Sequence, residues 1–184
     1  GNLSFVGQVG VGFPNQLVAT NNQTFFLASN LPAGLSLNTN SGVISGVPEE
    51  PGRFTNAVLG AGNAAGGSNN LASFTIFPEI ESAAGATNWV NDANFRYELT
   101  LGTHPFGSAL RFAASGLPAG TGINTYTGVI TGRPTVAGIY TVPITASVTG
   151  GASLTLQPAL QFTIRGAAGG AFSMTLNPRP TNVT

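Results

Sequence analysis

One block of this chain is written twice. Residues 31–54 read LPAGLSLNTNSGVISGVPEEPGRF and residues 117–140 read LPAGTGINTYTGVITGRPTVAGIY. At a constant offset of 86, 12 of the 24 positions are identical. Others are conservative, among them Leu37 against Ile123, Ser45 against Thr131 and Phe54 against Tyr140. A gap-free match of this length means two copies of one folding unit, each of roughly 80–90 residues in a chain this long. The chain has no cysteine, so each unit must build its core without disulfides, which a unit of that size does modestly.

The hydrophobic pattern decides the type of unit. Helical periodicity is nearly absent. Short apolar runs alternate with polar residues and are broken by Gly, Pro and Asn every 8–12 residues, the pattern of an all-β sandwich. Leu3, Phe5, Val9, Val11 and Phe13 fall on odd positions around Gly7 and predict a strand with one apolar face. Phe74 and Ile76, Phe162 and Ile164, and Val142, Ile144, Ala146 and Val148 alternate in the same way. Pro143 inside the last run predicts an edge position or a bulge. The repeated block reads as a hairpin. Leu-Pro at 31–32 and 117–118 excludes helix at entry, and Asn38 to Gly42 is a polar turn ending in a residue free to take positive φ. Leu35, Leu37, Ile44, Phe74 and Ile76 are the expected core of copy one. Ile123, Ile130, Phe162 and Ile164 are its counterparts in copy two.

These residues carry a resemblance. LPAGLSLNTNSGVISGVP, followed by a Gly-aromatic-Thr strand and ending in FTI, resembles the immunoglobulin-like repeats of bacterial surface and secreted proteins, relatives of the cadherin-like domains of dystroglycan type. Gly12-Phe13 and Ala19-Thr20-Asn21 match the family's opening strand. Phe95, Leu99 and Thr100 stand for them in copy two, before a four-residue insertion ahead of Leu117. The likeness covers about 13–77 and 93–165. It implies immunoglobulin-like sandwiches, usually in tandem within adhesins, stalks or enzyme-associated modules, and no catalytic residues. The expected organisation is therefore all-β: domain one over 1–79, domain two over 80–165, and a linker with a strand extension over 166–184.

Composition narrows the function. Charge is sparse, with six arginines, no lysine and six acids at zero net charge, so nothing favours nucleic acid or an anionic membrane. No apolar run reaches the ~18 residues that span a bilayer. No segment reads as a signal peptide, so a secreted protein would here be a mature form or an excised piece. A neutral surface of Asn, Thr, Ser and Gly fits an extracellular protein packed against its own kind.

Residues with chemistry to offer are few. His104 is the lone histidine and Asp92 the lone aspartate, and no nucleophile motif accompanies them. Glu49-Glu50 read as a solvated turn rather than a glycosidase pair, since Thr135-Val136 replace them in copy two. Asp92 with Glu79 and Glu81 are weak calcium candidates near the junction, and no cofactor is expected. Trp89, Tyr97 and Tyr126 are candidates for an aromatic sugar platform. Asn2, Asn22 and Asn182 begin glycosylation sequons. The two ends hold the candidates for strand exchange between subunits, Leu3, Phe5, Val9 and Val11 at one and Phe172, Met174 and Leu176 at the other. The expected function is a non-catalytic extracellular structural protein. It is a building block of a surface fibre or adhesin that self-associates through terminal strands or end-to-end domain contacts and meets a surface glycan or protein receptor. The alternative is a carbohydrate-binding or spacer module of a secreted enzyme or large surface protein.

Overall fold

The computed structural model describes residues 2–13, 15–16, 22–81 and 85–166. The first domain contains β1 (Leu3–Gln8), β2 (Asn15–Gln16), β3 (Phe25–Ser29), β4 (Leu35–Leu37), β5 (Val43–Gly46), β6 (Gly52–Asn63) and β7 (Gly66–Phe77). They form a four-stranded sheet in the order β1-β7-β6-β3 and a three-stranded sheet in the order β2-β5-β4. β1 runs parallel to β7, Phe5 opposite Phe74, and the remaining pairs are antiparallel. Phe13, Phe26, Ile44, Ala57, Leu59, Phe74 and Ile76 fill the space between the sheets.

The second domain contains β8 (Ile80–Glu81), β9 (Ala86–Trp89), β10 (Phe95–Tyr97), β11 (Thr100–Leu101), β12 (Leu110–Ala114), β13 (Thr121–Ile123), β14 (Ile130–Gly132), β15 (Gly138–Val142), β16 (Ile144–Val148), β17 (Ala152–Thr155) and β18 (Leu160–Arg165). Its sheet β10-β14-β13 repeats β2-β5-β4. The counterpart of the long four-stranded sheet is cut into two pieces, β15-β18-β9 and β12-β16-β17. Pro143, which cannot donate to a ladder, separates β15 from β16. Pro158, after a cis peptide bond with Gln157, lies between β17 and β18. In the first domain the same run stays continuous and absorbs the change with an irregularity between Phe54 and Ala57. β16 is thus central in its sheet, and the proline marks a break between sheets rather than an edge position.

The repeated block folds alike in both copies. Asn38 Oδ1 accepts the N–H groups of Asn40 and Ser41, both at 3.0 Å, while the Gly42 N–H donates to the Asn38 carbonyl at 2.9 Å. Asn124 Oδ1 accepts those of Tyr126 at 2.9 Å and Thr127 at 3.1 Å, and the Gly128 N–H donates to the Asn124 carbonyl at 2.9 Å. An Asn side chain that satisfies two turn amides replaces the water they would lose. The expected core residues Ile44, Phe74, Ile76, Ile130, Phe162 and Ile164 are buried. Leu35, Leu37 and Ile123 are half-buried and pack on the margins of the two cores, because β4 and β13 are edge strands covered on one side only.

Candidate functional site at the domain junction

The residues that join the domains are the most distinctive group in the molecule. β7 ends at Phe77, whose side chain is buried in the core of the second domain, not the first. The Val9 N–H donates to the Phe77 carbonyl at 3.0 Å, and the Gly102 N–H donates to the Glu79 carbonyl at 2.8 Å. β8 then pairs with β11. The connection between the domains is therefore tied by hydrogen bonds on both sides. The divide expected between residues 79 and 80 falls inside a segment that both domains share.

The insertion in copy two fills this junction. Phe106 lies 6.1 Å from Phe77, ring to ring, and His104 stacks on Phe106 at 6.0 Å. Pro105 approaches Gly52 at the start of β6. His104 Nδ1 is shielded from solvent without a hydrogen-bond partner among the described residues.

β1 faces both domains. Leu3, Phe5 and Val9 pack on the first core, with Phe5 stacked on Phe74 at 4.9 Å. Val6, on the opposite face, packs against the second core. The β16–β17 hairpin leans on this outer face, where β1 and β17 meet. The Gly150 backbone comes so close to the Arg53 guanidinium that a Cβ there would overlap it. Arg53, Thr75 and Val6 form one cross-strand row under this hairpin, and Thr75 is only 7% exposed. Between hairpin and sheet a cleft of 460 Å³ is lined by Ser4, Arg53, Thr55, Thr75, Gly151 and Ser153, among others.

The other candidate residues are dispersed. The Asp92 carboxylate accepts the Asn94 N–H at 2.8 Å within its own turn, while Glu79 and Glu81 flank Ile80. Among the described residues, no three His, Cys, Asp or Glu side chains gather as a metal site. Tyr97 is buried against Phe162. Trp89 is 46% exposed with Arg165 5.7 Å from its ring, and Tyr126 is 62% exposed with Arg111 at 4.2 Å. The three aromatics do not form one platform. Val11 sits exposed after β1, Asn2 and Asn22 are exposed, and Asn182, Phe172, Met174 and Leu176 lie outside the described residues. Sequence reasoning did not single out Val6, Arg53, Phe77 and Phe106 as junction residues. The insertion was the one legible signal for them.

The family described as "Putative Ig domain" matches residues 4–77 and 77–165, so the chain belongs to this family and carries it twice. Both matches meet at Phe77, the residue that closes the last strand of one domain and enters the core of the next. Solved structures that the chain matches include Drosophila N-cadherin EC1-3, at 14% identity over 90% of this chain and 65% of that one, TM-score 0.36. They also include BT4661, a SusE-like surface-located polysaccharide-binding protein of Bacteroides thetaiotaomicron, at 19% identity over 89% and 33%, TM-score 0.33. A third is a "putative alpha-galactosidase" of Bacteroides fragilis, at 24% identity over 50% and 20%, TM-score 0.37. The chain spans a fifth of that last protein and less than two thirds of the other two. No curated protein sequence matches it. No helix among the described residues is long and apolar enough to cross a membrane.

Proposed function

We propose that this chain is a non-catalytic extracellular spacer, a structural unit of a cell-surface fibre or adhesin that assembles through end-to-end domain contacts. The observation that supports this most directly is the junction. Val6 and Phe77, from strands of the first domain, pack on the core of the second. Inter-domain contacts within a chain are ordinarily mobile unless large and apolar, and a unit that bears load or sets distance benefits from a stiff joint. The chemistry fits as well, since His104 and Asp92 serve local packing and turn geometry. Small-angle X-ray scattering on purified protein tests the spacer reading. A single narrow distance distribution for a two-lobed particle is expected, and a broad one typical of two tethered domains would refute it. Negative-stain microscopy of concentrated protein tests assembly, with end-to-end strings as the expected image.

A second reading is a carbohydrate-binding module, favoured by the exposed indole of Trp89 beside Arg165. It requires slower migration in polysaccharide-containing native gels, lost in Trp89→Ala. Unchanged migration against a panel of neutral and acidic polysaccharides would rule it out.

A further inference from the structure

The cleft between the β16–β17 hairpin and the first-domain sheet carries chemistry that the joint itself does not need. Sheet register gathers it on one face. Ser4 and Val6 of β1 stand opposite Ser73 and Thr75 of β7, and Arg53 of β6 stands opposite Thr75. These side chains share the outward face, since Phe5 and Phe74 between them pack into the first core. Thr55 and the hairpin's Ser153 add to the lining. Both domains therefore supply walls.

Two observations mark the cleft as a site. Arg53 is the only charged residue among the described ones that line it. Its guanidinium lies against the Gly150 backbone, and no carboxylate pairs with it among the described residues. Arg96, by contrast, has Glu98, and Arg111 and Arg165 lie over aromatic rings. The fold does not demand this arginine, because the matching row of the second domain, Ile139–Thr163–Thr87, has no cation. The second observation is Thr75. It is only 7% exposed, it lines the cleft, and its hydroxyl bonds to no group among the described residues. A shielded hydroxyl is costly unless water or a ligand satisfies it.

The lining selects a ligand class. A planar guanidinium forks onto a carboxylate through two parallel hydrogen bonds. The Ser4 and Ser73 hydroxyls bond each other at 2.9 Å and keep lone pairs for a further donor. Hydroxyls that both donate and accept suit the ring hydroxyls of a sugar, which do the same. An inorganic anion would use the guanidinium and leave most of the hydroxyls idle. The volume of 460 Å³ lies within the roughly 300–1,000 Å³ of small-molecule clefts.

We propose that this cleft binds a carboxylated sugar, a uronate, with its carboxylate on Arg53 and its ring hydroxyls on Thr75, Ser73, Ser4 and Ser153. The site goes beyond the spacer reading and is separate from the Trp89 surface. Because both domains line it, the bound sugar bridges them.

The test follows amide NMR shifts of the isotope-labelled full chain during titration with galacturonate and glucuronate. Saturable shifts are expected at Thr75 in the first domain and at Gly151 and Ser153 in the second. Arg53→Gln should weaken binding about tenfold or more, and Thr75→Val several-fold. Arg53 is exposed and Thr75→Val keeps the side-chain shape, so the rest of each spectrum should stay unchanged. Galactose and glucose should bind about tenfold or more weakly than their uronates. Trp89→Ala should leave uronate binding intact. The proposal is overturned by the absence of saturable shifts or by full binding in Arg53→Gln. It is equally overturned if a neutral sugar, sulfate or an aspartyl dipeptide binds as well as the uronates, or if binding depends on Trp89. Trigalacturonate binding more tightly than the monomer identifies a polysaccharide as the source, and equal or weaker binding identifies the free sugar acid. Scattering and microscopy test the spacer reading separately, so either can fail alone.

Discussion

The hairpin of the repeated block depends on two glycines whose backbones nearly touch. A Cβ on Gly34 would overlap the Val47 carbonyl, and one on Gly46 would overlap the Gly34 carbonyl. Their φ angles are +81° and +126°, a region where an L side chain costs of order 1–3 kcal/mol even without a clash. Gly120 and Gly132 repeat the arrangement. Gly34→Ala should therefore lower the stability of the first domain by about 3 kcal/mol or more, the strain and the carbonyl overlap adding. The readout is urea denaturation. Gly122→Ala is the contrast, because a Cβ there meets nothing within 4 Å and stability should change by less than about 0.5 kcal/mol. These glycines and the Asn38 and Asn124 turns were legible in the sequence, because steric and hydrogen-bonding demands of a tight turn act within a few residues.

At the scale of elements, β1 and β9 are the informative pair. The alternation of Leu3, Phe5 and Val9 was visible in the sequence as a strand with one apolar face, and the likeness between the copies, covering about 13–77 and 93–165, left residues 1–8 without a counterpart in copy two. The structure seats β1 in its own domain, parallel to β7, and gives copy two the equivalent strand in β9, parallel to β18. The likeness is hidden because Phe5-Val6-Gly7 corresponds to Ala86-Thr87-Asn88, so strand position is shared while side chains are not. Removing residues 1–8 would strip Phe5 from the stack with Phe74 and uncover the edge of β7. Such a deletion should destabilise the first domain and promote aggregation in light scattering. A folded, monodisperse truncation would contradict this placement. Phe77 makes the complementary point from the other side of the joint. Phe77→Ala should cost about 3–5 kcal/mol, and the loss should appear in the unfolding of the second domain although the residue closes a strand of the first. Intrinsic fluorescence follows that domain selectively, because the lone tryptophan, Trp89, belongs to it.

For the whole molecule, the joint decides how the repeats act together. Phe106 supplies an aromatic contact to Phe77 from the insertion that only copy two carries. Truncating it removes apolar packing at the joint while leaving both sandwiches their own sheets. Phe106→Ala should broaden the interdomain distance distribution in small-angle scattering while circular dichroism stays unchanged. An unchanged distribution would place the stiffness elsewhere, in the paired segment from β8 to β11. Charge plays little part at this scale. The Arg96–Glu98 pair is exposed, on β10 and one residue past its end, a location where ion pairs contribute little, so the distribution should hardly respond to salt.

The sequence alone determined what is local and periodic: two copies, the all-β class, the turn chemistry of each hairpin, and most of the buried positions. Those follow from steric limits on φ and from the period-2 placement of apolar side chains, which act over a few residues. Only the tertiary structure decided which face of β1 meets which domain, that Phe77 crosses into the second core, and that Arg53 lies beneath a hairpin while its equivalent Ile139 is exposed among the described residues. These depend on how one folded unit lies on another. Burial of that kind is set by shape and area between surfaces distant in sequence, and no periodicity records it.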